Sequence, residues 1–497
     1  EINIGDWSSD VCSSDLTPSR VQRIVHELRA CAQQLQKQYP ELDAKTAEHR
    51  RRAQQAALRE LQEEFSLGDG ANSSPEIAAM VDNNIHLPTK PYLLRHSLPG
   101  AGLTRARSLE PDQVIAELIN SGLRGRGGAG FPTGRKWAAV RAAAKPPHYV
   151  VCNADEGEPG TFKDRVLLTE FPELLLEGMA IAGHAVGSTT GVIYLRAEYW
   201  YLKAHLEKAI AAFSPLAAPF AFRIQMGAGA YVCGEESALL ESMEGKRGEP
   251  RLKPPFPAEH GYLGHPTAVN NVETFALATR ILEEGAEKFR ENGTAKSPGV
   301  RLLSISGDVD RPGVYEVSWG IKVREVLSLC GARNPFVVQV GGPSGVCIRA
   351  SDGDREISYE DLATGGSFMV FSRERELFSI LENHMSFFVA ESCGNCTPCR
   401  AGNVVLLELL QKFRRGESRH SDMASIEAWA RIVASASRCG LGQTSPQVLT
   451  SSFKAFPELY KSAIPLDASE IIYEFDENAK AQAYDNAIEL MTTGVST

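Results

Sequence analysis

Three cysteines at C-x2-C-x2-C spacing, Cys393, Cys396 and Cys399 in CGNCTPC, with a fourth, Cys439, in SRCGLG, constrain this chain more than any other feature. Thiolates at that spacing converge from one tight turn, and a remote fourth closes a tetrahedron, so the surrounding segments have to fold into a cage. A cubane iron–sulfur cluster takes four such ligands, and bacterial ferredoxins open with the same spacing. An all-cysteine zinc site also takes four thiolates, though more often as two separated C-x2-C pairs. Cys31, Cys152, Cys233, Cys330 and Cys347 stand singly, several in apolar runs, and read as core. Ten cysteines in 497 residues do not make a dense disulfide framework. A clustered set fits a reducing compartment, with cytoplasm as the default.

A formal net charge of -10 argues against a nucleic-acid binder, which needs a basic face. The most apolar stretch, Leu174 to Leu195, is broken by Glu177, His184 and several glycines, so no membrane span is expected. No basic-then-apolar signal segment opens the chain. Asp6 to Leu16 read DWSSDVCSSDL, which matches the in-frame translation of a common sequencing-library adapter. Residues 1–16 are therefore set aside as artefact, Cys12 drops out of the metal argument, and the authentic N-terminus is expected to be missing.

Residues 17–79 read as a helical extension and linker. The stretch from Thr17 to Phe65 is rich in Ala, Gln, Glu, Arg and Leu, and Val21, Ile24, Leu28 and Leu35 recur at helical spacing. Arg50, Arg51 and Arg52 read as a solvated basic run, and Gly68 to Ser74 as a linker. In residues 80–295, helical patterns alternate with β-rich runs at Tyr149–Cys152, Gly191–Leu195 and Phe222–Gln225, which predicts an α/β layer with a mostly parallel sheet. Residues 296–374 change character: short runs at Arg301–Ser306, Phe336–Val340 and Ser367–Phe371 surround a helix at Lys322–Leu329, predicting a small α+β domain. Residues 375–497 return to helical patterns and predict a helical bundle around the clustered cysteines.

Chemistry-bearing residues concentrate in the α/β stretch. Residues 122–137 read GLRGRGGAGFPTGRKW, and Gly125, Gly127 and Gly130 satisfy G-x-G-x-x-G. A helical pattern, Asp112 to Asn120, precedes the loop where a Rossmann fingerprint needs a strand. What remains is a backbone able to approach a ring or phosphate closely, with Arg124, Arg126, Arg135 and Lys136 supplying positive charge. A flexible surface loop is the competing reading. Asn153, Asp155, Glu156 and Glu158 follow the strand that ends at Cys152, the position where open α/β sheets bind ligands. GAGAYVCGEES supplies Tyr231, Gly234 and the adjacent acids Glu235 and Glu236. These acids either raise one another's pKa and bind polar groups, or start a helix and cap its dipole. PTAVNNVET offers Asn270, Asn271 and Thr274, as ligand partners or as turn formers.

Taken together, these stretches resemble the NADH-binding, FMN-containing subunit shared by respiratory complex I, NAD-linked hydrogenases and formate dehydrogenases. The resemblance runs from about Met80 to Tyr473. The wording is nearest to the diaphorase flavin subunit of NAD-reducing, bidirectional hydrogenase, through RAEYWYLK, RIQMGAGAYVCGEESALLESMEGKRG, HMSFFVAESCGNCTPCRAGN and SRCGLGQTSP. It implies an α/β flavin domain, a ubiquitin-like β-grasp domain and a C-terminal helical cluster domain.

Position by position, the resemblance implies an FMN site at Gly125, Gly127, Lys136, Asn153, Asp155, Tyr231, Gly234, Glu235, Asn270, Asn271 and Thr274. It implies a nicotinamide-nucleotide site at Phe131, Glu158, Glu236, Lys253 and Phe256, with the phenylalanines on the adenine. It implies a [4Fe–4S] cluster on Cys393, Cys396, Cys399 and Cys439. No side chain is expected to act as nucleophile, and Glu158 is a candidate modulator of nucleotide release. Acids populate the ribose side, which favours NAD(H) over its 2′-phosphate. Implied partners are an iron–sulfur relay subunit and a hydrogenase, or equivalently the modules of a formate dehydrogenase or complex I. A non-catalytic metal-holding scaffold is the reading from a different class. One departure stands out: such hydrogenase subunits often carry an N-terminal thioredoxin-like domain, whereas residues 17–79 are too few for it and hold one cysteine, so no second cluster is assigned.

Overall fold

The computed structural model describes residues 84–465. The adapter-like segment, the helical extension with Cys31 and its arginine run, and the tail after residue 465 lie outside the described residues. Strand β1 (Ile85–His86) is followed by α1 (Ala101–Arg107), α2 (Pro111–Ser121) and α3 (Thr133–Ala142). Next come β2 (Tyr149–Ala154), α4 (Lys163–Glu170), α5 (Pro172–Val186), β3 (Thr190–Leu195), α6 (Lys203–Ala217), β4 (Ala221–Met226), α7 (Glu236–Met243), β5 (Thr267–Asn271) and α8 (Val272–Glu284).

Strands β2 to β5 pair in parallel in the order β4-β3-β2-β5. Val150, Val151 and Cys152 are all buried, the unbroken apolar run expected of a strand covered on both faces. The chain leaves β2 for β3 and β4 on one side and returns to β5 on the other. That reversal opens a crevice at the carboxyl ends of β2 and β5, the place where open α/β sheets take ligands. Asn153 and Asn271 stand opposite one another there.

The apolar stretch from Leu174 is interior structure: α5 is buried along nearly its whole length and runs on into β3. Among the described residues no helix is long and apolar enough to cross a membrane. Glu177, the acid that interrupts the stretch, caps α1: its carboxylate accepts from the N–H groups of Gly100 and Leu103, each at 2.8 Å. A Cβ on Gly178 would collide with the Phe275 carbonyl, so α5 and α8 touch backbone to backbone.

A second sheet follows: β6 (Val300–Gly307), β7 (Gly313–Ser318), α9 (Val323–Cys330), β8 (Pro335–Val340), β9 (Val346–Arg349) and β10 (Ser367–Ser372). Its order is β1-β7-β6-β10-β8-β9, mixed in direction. Ile85–His86 belongs to this sheet through parallel pairing with β7. Glu316 of β7 accepts from the backbone N–H groups of Tyr92, Leu93 and Leu94 at 2.5, 2.9 and 2.8 Å, pinning the incoming chain to the sheet. Helices α10 (Leu377–Glu391), α11 (Thr397–Arg415), α12 (His420–Ala436), α13 (Gly440–Thr444), α14 (Gln447–Ala455) and α15 (Pro457–Ser462) complete the described chain. Their core of Leu381, Met385, Phe388, Leu406 and Phe413 is continuous with Val269 of the parallel sheet and Met369 of the mixed one. One apolar body therefore holds the cysteine-bearing helices against both sheets.

Gly178→Ala is expected to destabilise the protein by about 3 kcal/mol, the upper end for overpacking, because the helix backbones have no room to part. Gly416→Ala, at a left-handed helix end with φ 66° and open space around it, should cost about 1 kcal/mol. Guanidinium unfolding followed by circular dichroism checks both; equal costs would contradict the close α5–α8 approach.

Candidate functional site

The glycine-rich loop is tied at its base. Gly125 N–H donates to Phe131 O at 2.9 Å and Thr133 N–H to Leu123 O at 2.9 Å, which makes an ordered hairpin of the segment read as possibly flexible. At its tip Gly128 has φ 122°, with no atom within 4 Å of where a Cβ would stand. Gly127 packs on Asn271, whose Cβ is 3.2 Å from the corresponding point. The loop thus lies across the crevice with bare backbone.

Its cations are placed differently from expectation. Arg126 turns inward, 1% exposed, and donates to Val300 O at 3.0 Å, while its backbone N–H meets Thr274 Oγ1 at 2.9 Å. Arg124 lies over the Tyr359 ring at 4.1 Å and donates to Gly130 O. Arg126 is committed to holding the loop, which corrects the expectation that it supplies charge for phosphate, while Arg124 is half-buried beside it. Lys136 reaches the crevice wall, donating to Glu236 Oε2 and Val269 O at 2.9 Å each.

The strand ends supply amides. Asn153 donates from Nδ2 to Gly234 O at 2.8 Å and accepts from Asp155 N–H at 3.1 Å. Asn270 Oδ1 accepts from the buried Trp137 Nε1–H at 2.9 Å. Asn271 caps α8 by accepting from Glu273 N–H at 3.0 Å, and its amide donates to Asp164. Asn271 is therefore a turn former that also flanks Gly127. Asp155 Oδ2 is buried with no partner, and burial pushes the carboxyl up to about 8 against the opposing charge of Arg196. Gly234 abuts it, its absent Cβ 3.8 Å from that oxygen. An orphaned polar oxygen, a glycine wall and capped asparagines at a sheet switch point fit a planar polar ligand with a phosphate tail.

Glu158, just beyond β2, accepts from Tyr231 O–H at 2.6 Å and from Ser344 N–H at 2.9 Å. Burial raises its pKa, and those two hydrogen bonds oppose the rise. The neighbouring acids have different partners. Glu235 caps α7, accepting from Ser237 and Ala238 N–H at 3.1 and 3.0 Å. Glu236 is held below the usual carboxylate range: burial works to raise it, and Lys136 and Lys253 overcome that. Lys253 pairs with both acids, so the capping alternative holds for Glu235 and an ion-pair network replaces mutual repulsion. Phe131 and Phe256 are 53% and 52% exposed, rings the core does not use.

The four cysteines are brought together. Cys393 and Cys396 lie between α10 and α11, Cys399 in the first turn of α11, and Cys439 at the N-cap of α13. With Val232, Pro250 and Leu441 they line one pocket. Four converging thiols fit the four-ligand need of a cubane cluster. The remaining described cysteines, Cys152, Cys233, Cys330 and Cys347, are buried.

Residues that sequence reasoning passed over join these parts. Glu391, at the end of α10 and two residues before Cys393, accepts from Tyr231 N–H at 3.0 Å, and Phe387 packs edge-on against the Tyr231 ring at 4.9 Å. Lys163, 1% exposed, pairs with Glu273 at 2.9 Å and Asp164 at 2.7 Å, locking α4 to α8 behind the crevice. Nothing in local hydropathy marks these charges as buried.

The match to known families follows this geometry. A model described as Nuo51 FMN-binding domain matches residues 118–280, and one described as NADH-ubiquinone oxidoreductase-F iron-sulfur binding region matches residues 379–463. The alpha subunit of the NAD-reducing hydrogenase HoxS of Cupriavidus necator is 47% identical over 425 residues, spanning 83% of this chain and 71% of its own length. The chain belongs to the Nuo51 family. Within it, the NADP-reducing hydrogenase subunit HndC of Solidesulfovibrio fructosivorans is 41% identical over 73% of this chain and 78% of its own. The crystal structure of an NAD+-reducing [NiFe]-hydrogenase in the H2-reduced state superposes with a TM-score of 0.75 at 40% identity, covering 78% of this chain and 69% of that one. Nuo51-family membership makes the chain an NAD(H)-dependent flavin iron–sulfur oxidoreductase subunit with FMN, a [4Fe–4S] cluster and NAD(H) as its cofactors.

Because the carboxyl of Asp155 titrates near 8 when folded and near its usual 3.8 when unfolded, the folded apoprotein keeps a proton that the unfolded chain has lost. Stability from this group therefore falls as pH rises through that window. Asp155→Asn removes the dependence, so its stability relative to the parent should climb between about pH 5 and about pH 8. Denaturant melts of the apoprotein across that range check it; a difference that does not change with pH would contradict it.

Proposed function

We propose that this chain is the diaphorase subunit of an NAD-reducing hydrogenase, passing electrons between NAD(H) and a partner through FMN and a [4Fe–4S] cluster. The observation that carries this reading is Tyr231. Its hydroxyl holds Glu158 beside the crevice, and its backbone N–H is held by Glu391, which leads directly into the thiol cage. A nucleotide-side acid and a cluster ligand loop are thus joined through one residue.

In this reading FMN lies in the crevice against Gly125, Gly127, Lys136, Asn153, Asp155, Tyr231, Gly234, Glu235, Asn270, Asn271 and Thr274. The flavin, when bound, takes electrons as a pair from NADH and releases them singly, chemistry that belongs to the cofactor. The chain supplies position. The bare backbone at Gly127 and Gly128 admits close approach, the asparagines line the strand ends, and Asp155, neutral at pH 7, offers a proton donor without adding charge. Phe131 and Phe256 provide exposed rings for the adenine of the nucleotide. Lys253 and Glu236 order the polar wall beside it, and Glu158 places negative charge where phosphates or ribose pass. The cluster takes Cys393, Cys396, Cys399 and Cys439 as ligands.

The mixed sheet of residues 296–374 serves as a β-grasp unit buttressing Glu158 through Ser344. Residues 80–295 form the flavin domain and residues 375–497 a helical cluster domain. An iron–sulfur relay subunit receives the electrons, and a hydrogenase is the terminal module, in the cytoplasm. The hydrogenase assignment rests on the 47% identity to the HoxS alpha subunit. Co-purification with hydrogenase subunits and hydrogen-dependent NAD+ reduction support it; co-purification with a formate dehydrogenase or quinone-reducing module replaces it.

Glu158→Gln tests the nucleotide side. Removing the charge should tighten NAD+ and NADH binding about tenfold, roughly 1.4 kcal/mol, while FMN content stays at the parent level. Equilibrium binding and flavin quantitation read the two separately, and unchanged nucleotide affinity would remove Glu158 from that role.

A further inference from the structure

Asparagine is a poor occupant of a buried helix interior, since its amide competes with the backbone and has to be satisfied on both sides. Asn403 nevertheless sits fully buried on the apolar face of α11, beside Gly402 and Leu406. It lies one helical turn after Cys399, and i,i+4 geometry brings its Nδ2 to 3.4 Å from the Cys399 sulfur. The amide is held in that sense by Ser445, whose buried hydroxyl donates to Asn403 Oδ1 at 2.7 Å. Ser445 lies just beyond α13, the helix that Cys439 caps, so this bond ties the remote ligand's segment to α11. A second group reaches the same sulfur: Ser392 Oγ lies 3.3 Å from Cys399 Sγ. Gly394 N–H donates to that Oγ at 3.3 Å, which leaves the hydroxyl proton free to point at sulfur. Cys399 is also the one buried thiol of the four; Cys393, Cys396 and Cys439 are partly exposed.

We propose that Asn403, with Ser392, tunes the reduction potential of the cluster upward by hydrogen-bonding the Cys399 sulfur. This rests on the reading of the four cysteines as [4Fe–4S] ligands. Uptake of one electron, without a proton, makes the cluster one unit more negative, and part of that charge falls on the ligand sulfurs. N–H and O–H donors aimed at a sulfur in a water-poor pocket stabilise the reduced form more than the oxidised form, which raises the potential. Asn403 touches the cluster only through its ligand, so it is a positioning residue, held in place by Ser445.

The test is a redox titration of the purified protein, with the cluster followed by electron paramagnetic resonance and the flavin by absorbance. Asn403→Leu keeps the branched shape and the number of heavy atoms and removes the donor. At fixed potential the reduced-to-oxidised ratio of the cluster should fall about tenfold, a midpoint lower by ~59 mV for one electron. The flavin midpoint and iron content should match the parent. Ser392→Ala and Ser445→Ala should each shift the cluster the same way by less. A fully loaded Asn403→Leu variant with an unmoved or raised cluster midpoint overturns the proposal. Should Asn403→Leu not load its cluster, the two serine variants decide, and unmoved midpoints in both overturn it. A parent protein without an iron–sulfur signal overturns the cluster reading as well, an outcome separate from a loaded cluster that does not shift.

Discussion

Tyr231 is held from both ends, by Glu158 through its hydroxyl and by Glu391 through its backbone N–H, and the rest of the site is arranged around that double tether. Glu158 is in turn fixed by Ser344 of the mixed sheet, and Glu391 ends the helix that leads into the first cysteine of the cage. Three parts of the chain that are far apart in sequence meet at one aromatic residue. Its ring packs on Phe387, so the tether is apolar as well as hydrogen-bonded. A rigid junction of this kind is what a relay needs, because electron passage depends on fixed separations and the protein's contribution is position.

The floor of the crevice depends on charges taken out of water. Lys163, Asp164, Glu273 and Arg126 are all nearly unexposed, and each spans two elements. Removing one member of such a buried pair leaves an uncompensated charge at about 3–5 kcal/mol. The network therefore behaves as a lock, with α4, the start of α8 and the glycine loop held in one arrangement. Arg126 and Arg301 both lie near the Trp319 ring, at 5.2 and 4.9 Å, which extends the lock into the mixed sheet. Arg126, one of the cations that the sequence offers for phosphate, serves this internal fastening.

Much of this is legible in the sequence because it depends on local pattern. The runs at Tyr149–Cys152, Gly191–Leu195 and Phe222–Gln225 fall within β2, β3 and β4, and the helix read at Lys322–Leu329 is α9 shifted by one residue. The cysteine spacing specifies the cage, since three ligands on one turn leave few geometries. β5 is harder to see: PTAVNNVET looks like turn chemistry because its asparagines end the strand and cap the next helix. β7 and β9 are short and lie among glycines, and β1 has two residues, too few for any period to register. Glu235, left open between polar binding and helix capping, and Arg126, offered as charge for phosphate, share one reason. Whether a charge is free, capped or paired is decided by a partner distant in sequence, and local composition carries no record of it.

Passage of electrons from NADH through a flavin to an iron–sulfur cluster on one chain has a direct signature in the absorption spectrum of anaerobically purified protein before and after NADH. Flavin peaks over a broad iron–sulfur shoulder with about four irons per chain are expected, with bleaching of the flavin and then the shoulder on adding NADH. A colourless, zinc-containing protein after anaerobic handling and flavin reconstitution would contradict it and leave a metal-holding scaffold in its place.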